Sequence, residues 1–181
     1  MKKYYLLLFS ITVISAFFIV RCKTAQTGGA LPEPKVPVKW ETLHDATENS
    51  KKDGKLLFLD VYTDWCGWCK KMDKSTYRDT ALIRLLNTQF HPVRLDAEAE
   101  TLKADGIEYS TKGQQFNEFS VTIMNGQMAF PTTVILNPNL SGVYKQAGYV
   151  DGITMRGIAS FFGQKLYLQK VDFNTYIKNF K

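Results

Sequence analysis

The chain has 181 residues, room for one domain and a leader. Its 45% apolar and 13% aromatic residues suit a packed core and exclude a disordered chain. The formal net charge is +6, from 23 basic and 17 acidic residues, and no basic run is interleaved with aromatics, which argues against a nucleic-acid partner.

At the N-terminus, Lys2 and Lys3 precede an apolar run of about 17 residues, 4–20, broken only by Ser10, Thr12 and Ser15. A positive start followed by an apolar stretch reads as a secretory signal, and this length lies near the lower limit for a membrane span. Three fates compete: cleavage, retention as a membrane anchor, or a cut just before Cys22 with lipid on that thiol. The last resembles the bacterial lipoprotein pattern, from which Arg21 departs. Residues 1–22 hold three bases and no acid, so the rest of the chain carries about +3, an ordinary solubility charge. Residues 23–38 are rich in Thr, Gly and Pro and read as a flexible linker, which leaves 39–181 as the folded domain.

Residues 40–50 show a weak helical period at Trp40, Leu43, Ala46 and Thr47, and 51–54 read as a turn. Residues 56–62 are a continuous apolar run interrupted only by Asp60, the pattern of a central strand buried on both faces. A helix follows over 67–74. Asp79 is placed to cap a second helix over 80–88, with Ala81, Leu82, Leu85 and Leu86 on one side. Residues 90–95 form a strand, and 96–113 are polar with no assigned element. A short helix is predicted over 114–119 and a loop over 121–129, with Asn125-Gly126 as its turn. The strands 132–136 and 143–149 flank a hairpin connection over 137–142. Helix 152–168, with its end open near Gly163, and an accessory helix over 173–180 complete the chain. This order predicts an α/β fold in which a mixed central sheet is flanked by helices.

The chemical signal is Trp65-Cys66-Gly67-Trp68-Cys69-Lys70, at a strand-to-helix junction. A CxxC also serves zinc sites, but a structural zinc takes four ligands. This chain has no second CxxC, and its two histidines, His44 and His91, are not spaced as a ligand pair. For redox chemistry the spacing is apt. The thiolate is the nucleophile, and the free N–H groups and dipole at a helix start favour negative charge there. Cys66 is therefore expected to be the exposed nucleophile. Cys69, one turn inward, is expected to be shielded and to resolve the mixed disulfide. Asp60 has two readings: an outward-facing strand acid, or a buried group that must be protonated or paired. Pro131 also has a plain reading, because proline costs nothing at a strand's first position.

The stretch from Leu57 to Met72 resembles the active-site signature of the thioredoxin superfamily, and Phe130-Pro131-Thr132-Thr133-Val134 resembles its second motif. The match looks closest to the subgroup that contains the periplasmic C-terminal domain of the bacterial disulfide reductase DsbD. The resemblance implies a thioredoxin-like fold over about residues 50–162. It implies a cis proline at Pro131, opposite the CxxC, with the Phe130 backbone pairing an extended substrate segment. It implies that Asp60 lies buried below the dithiol and takes the proton of Cys69 through water. A Lys or Arg near this acid is a family feature, and Arg94 is a candidate whose alignment the sequence leaves open. Trp65 and Gly67 are expected to shape the docking surface with Trp68, which stands where thioredoxins commonly have proline. Gly67 and Trp68 supply no histidine or cation to the thiolate, which argues against a strong oxidant. Lys70 and Lys71 read as solvated charges. The extra residues 121–127 are expected beside the groove, with Met124 and Met128 either there or in the core.

The resulting expectation is a thiol–disulfide oxidoreductase acting on protein disulfides in a bacterial cell envelope, in the reducing direction, periplasmic or anchored through its N-terminus. It would use no cofactor beyond its own redox-active disulfide and would depend on an upstream redox partner such as a membrane thiol carrier. Two other readings stand: a binding module that keeps the fold with redox secondary, and metal handling by the CxxC.

Overall fold

The computed structural model describes residues 36–181, so the leader, Cys22 and most of the linker lie outside the described residues. The described chain runs α1 (Leu43–Asp53), β1 (Leu56–Tyr62), α2 (Gly67–Lys74), α3 (Thr80–Gln89), β2 (Phe90–Asp96), β3 (Thr101–Ala104), β4 (Ile107–Ser110), α4 (Glu118–Ile123), β5 (Thr132–Leu136), β6 (Gly142–Ala147), α5 (Gly152–Gly163) and α6 (Phe173–Asn179). Short 3₁₀ turns lie at Thr76–Arg78 and Leu166–Gln169. Among the described residues no helix is long and apolar enough to cross a membrane.

The apolar run at 56–62 becomes the central strand. The sheet order is β2-β1-β5-β6, with β2 parallel to β1 and both β5 pairings antiparallel. Alternation along β1 sends Leu56 and Phe58 to one face, where they pack with Met72, Leu82, Leu86, Ile158 and Phe161. Leu57, Leu59 and Val61 go to the other face and meet Leu43, Ala46, Phe119 and Val134. Each such burial is worth roughly 1.5–3 kcal/mol, so two apolar faces fix both the strand and its central place. Asp60 shares the face of Leu56 and Phe58, the face that α2 and α3 cover.

Several boundaries differ from expectation. The predicted turn at 51–54 is the last turn of α1. Thr42 caps the start, Lys51 and Lys52 sit favourably at the C-terminal end of the helix dipole, and Gly54 takes the left-handed conformation (φ 72°) that ends it. The unassigned stretch 96–113 contains a β3–β4 hairpin whose turn, Asp105-Gly106, has positive φ at both residues. The predicted helix at 114–119 is displaced to Glu118–Ile123 because Asn117 is its cap. The Asn117 side chain accepts from the Phe119 amide and donates to the Ala99 and Tyr109 carbonyls. The 121–129 loop therefore starts only after Ile123, and Asn125-Gly126 forms its turn as expected. Helix α5 stops at Gly163, and the rest of the predicted 152–168 helix is a separate 3₁₀ turn.

Candidate active site

The site begins where β1 ends. The Cys66 sulfur caps α2 by accepting from the Cys69 amide at 3.1 Å, and Cys66 and Cys69 are joined by a disulfide with Cα atoms 5.3 Å apart. Both residues are buried, Cys69 at 2% and Cys66 at 5% exposure. This corrects the expectation of an exposed Cys66. In the oxidised form its sulfur is turned inward to its partner and to the helix amide, and the exposed groups are its neighbours. Gly67 is open to solvent, and Trp65 and Trp68 stand out at 61% and 56% exposure.

The Phe130–Pro131 peptide bond is cis, in line with the resemblance. Strand register brings this bend to the end of β1 that leads into the CxxC: Thr132 pairs with Val61, one residue short of that end. The Trp65 ring meets Phe130 edge-on, with centroids 5.7 Å apart. Trp65 is held in turn by Glu98, whose two carboxylate oxygens accept from its Nε1 at 3.1 and 3.0 Å, and Gln115 donates to the same carboxylate. Phe116 also packs on Phe130, with ring centroids 5.6 Å apart. Residues of the strip before α4 thus stand beside Phe130, while Met124 is fully buried in the core and Ile123 and Met128 pack, half-buried, in the same cluster as Phe130. Trp68 packs on Tyr149, and Lys71, exposed as expected, also lies over both rings at 4.5 and 4.9 Å.

Asp60 is 1% exposed, which rules out the outward-facing reading. Burial pushes its carboxyl up to about 7, against the pull of Arg94 and with a further push from Asp73. Parallel pairing sets Asp60 opposite Arg94, which settles the alignment the sequence left open. The guanidinium Nε is 4.0 Å from Asp60 Oδ2, while Nη2 donates to Asp73 Oδ2 at 2.6 Å, and the group lies 4.4 Å over the Tyr62 ring. The Tyr77 and Thr133 hydroxyls face the same buried spot, and neither completes a hydrogen bond of good geometry with Asp60 Oδ1. Burial beside this carboxyl holds the Tyr77 hydroxyl well above the ordinary tyrosine range.

Sequence reasoning missed Asp73, Tyr77, Glu98, Phe116 and Tyr149. Asp73 alone left a local signal, since it stands one helical turn after Cys69. The others reach the site only through tertiary packing. Among the described residues no group of three or more His, Cys, Asp or Glu is placed to hold a metal. His91 instead lies between Glu41 and Asp53, at 2.8 and 3.1 Å.

The family described as "Thioredox_DsbH: Protein of unknown function, DUF255" matches residues 27–172. The chain belongs to this DsbH-type thioredoxin family. A member-like relative, Spermatogenesis-associated protein 20 of Mus musculus, is 29% identical over 144 residues, which are 79% of this chain and 17% of that protein. The chain thus spans under a fifth of the length of the curated relative it matches. A thioredoxin-fold protein from Helicobacter pylori superposes with a TM-score of 0.58 at 16% identity, over 70% of this chain and 84% of that one. A structure described as DsbH Oxidoreductase superposes at 0.51 and 19% identity, over 80% and 96%. These likenesses establish the thioredoxin-like fold of this DsbH-type chain, with its mixed sheet between helices.

Proposed function

We propose that this protein is a thiol–disulfide oxidoreductase that reduces protein disulfides in a bacterial cell envelope. The observation that carries the proposal is the Cys66–Cys69 disulfide at the start of α2, set between two exposed indoles and beside the Phe130–Pro131 bend. In the reduced protein, the helix dipole and the Cys69 amide favour a thiolate at Cys66. That thiolate attacks one sulfur of the substrate disulfide. The other substrate sulfur leaves with the bond's electron pair and takes a proton from water. Cys69 then gives its proton to the Asp60 carboxylate and attacks the Cys66 sulfur, which expels the second substrate thiolate. The substrate gains two electrons and the dithiol loses two. A carboxyl poised near 7 can accept that proton at neutral pH.

Phe130, Pro131, Trp65, Gly67 and Trp68 form the surface on which an extended substrate segment docks. The reducing direction is favoured because Gly67 and Trp68 bring no cation to the thiolate. The apolar leader supports export, with Cys22 as the candidate lipidation site. The cycle needs no metal or organic cofactor, but it needs an upstream partner to re-reduce Cys66–Cys69, such as a membrane thiol carrier.

The test is reduction of an insulin disulfide by the full chain with dithiothreitol as electron donor. Wild type is expected to accelerate it and Cys66→Ser to abolish the acceleration. Equal behaviour of the two, with retained binding of an envelope protein, would replace this reading by that of a binding module.

A further inference from the structure

Asp60 is faced by Arg94 from β2, Asp73 from α2, Tyr77 from the 3₁₀ turn and Thr133 from β5. Only one of these is a cation, and it is not committed to Asp60. Arg94 makes its short charge-assisted bond to Asp73 at 2.6 Å and stands 4.0 Å from Asp60. The guanidinium also lies over the Tyr62 ring, 4.4 Å from its centroid, and it remains about a third exposed. Asp73 is itself braced, because Arg78 Nε donates to its backbone carbonyl at 3.4 Å. A carboxylate on α2 thus competes for the arginine that would otherwise pair with the strand acid directly.

We propose that Asp73 is a positioning residue that clamps Arg94 at the surface and so keeps Asp60 free to take the proton of Cys69. The physical basis is the geometry of guanidinium–carboxylate pairing. A full pair with Asp60 would hold its carboxylate charged and would oppose protonation. Drawn to Asp73, Arg94 compensates the buried charge only in part. The clamp takes its catalytic meaning from the oxidoreductase reading, but its existence does not depend on it.

The test titrates the Asp60 side-chain carboxyl by carbon NMR in the oxidised full chain, where neither bonded cysteine titrates. Asp73→Asn should release Arg94 onto Asp60 and lower the Asp60 midpoint by about one to three pH units. Asp73→Glu should restore most of the wild-type midpoint. In an Arg94→Gln background, Asp73→Asn should move the midpoint less than half as far. An unchanged midpoint in Asp73→Asn would overturn the clamp. So would a shift of equal size with and without Arg94, which would mean that Asp73 acts by its own charge alone. A chain inert towards disulfides but showing this pattern would remove the oxidoreductase reading and uphold the clamp.

Discussion

The proton-accepting role proposed for Asp60 sets stability against chemistry within one side chain. Its carboxyl titrates near 7 in the folded protein against an ordinary value of 3.8, because burial penalises the charge. Between those values the folded chain holds a proton that the unfolded chain has released. Stability from this group is therefore complete below about pH 4, falls as pH rises through the window, and reaches its full penalty above about 7. Asp60→Asn removes the titration. The variant is expected to be more stable than wild type at pH 8, by on the order of 4 kcal/mol at most, and the difference should close near pH 4. Urea melts of the oxidised chains at the two values check this. In exchange, the same variant should slow resolution by Cys69 more than attack by Cys66, which single-turnover kinetics separate. A variant destabilised at pH 8 would mean that the charge is well paired after all.

At the scale of elements, α1 is tied to β2 by a carboxylate–imidazole–carboxylate clasp of Glu41, His91 and Asp53, together with the Glu41 amide on the Pro92 carbonyl. Partial burial works against the Asp53 charge, but hydrogen bonds from the Lys55 amide, His91 and the Lys55 ammonium outweigh it and hold the carboxyl at about 2. That stabilisation is present above the ordinary value of 3.8 and is lost as pH falls through 2. Asp53 is more than a third exposed, so the screened contribution is under about 1 kcal/mol. Asp53→Asn should cost up to that amount at pH 7 and only a small part of it near pH 2, as measured by thermal melts. Elements carried by their own residues were legible in the sequence: β1 matches its apolar run, α2 begins within the CxxC, and Asp79 caps α3 as its spacing predicts. The β3–β4 hairpin was hidden by polar residues, although Asp105-Gly106 between Leu102-Lys103-Ala104 and Ile107-Glu108-Tyr109 is a hairpin signal. The two cysteines were legible from their spacing, Asp60 was singled out by its apolar strand but placed below the dithiol only through the family resemblance, Arg94 needed the β1–β2 register, and Glu98 needed the approach of its loop to Trp65.

Across the whole molecule, the dithiol side and the C-terminal addition share one core. Helix α6 lies on α5, where rings of Phe161, Phe162, Phe173 and Tyr176 interlock with Tyr144 of β6. The close approach is possible because position 157 has no side chain. A Cβ there would meet Ile177 Cδ1 at 3.1 Å and the Phe180 ring at 3.2 Å. Alanine in mid-helix gains on the order of 1 kcal/mol over glycine, but its methyl would press on both neighbouring side chains, so Gly157→Ala has opposing terms of similar size. Valine adds two further methyl groups to a gap that is already full, and its branched carbon is rotamerically stiff in a helix. Gly157→Val should therefore push α6 off α5 and cost about 1–3 kcal/mol, with faster amide hydrogen exchange over 173–179 than in wild type. The sheet and α2 are held by burial on both faces of β1 rather than by α6, so the rate of insulin reduction should stay within a factor of two or so, since a small local repacking leaves the barrier nearly unchanged. If exchange over 173–179 is unaltered while the reduction rate collapses, α6 is not an independent cover on the fold, and its packing is coupled to the Trp68–Tyr149 wall through the residues between them.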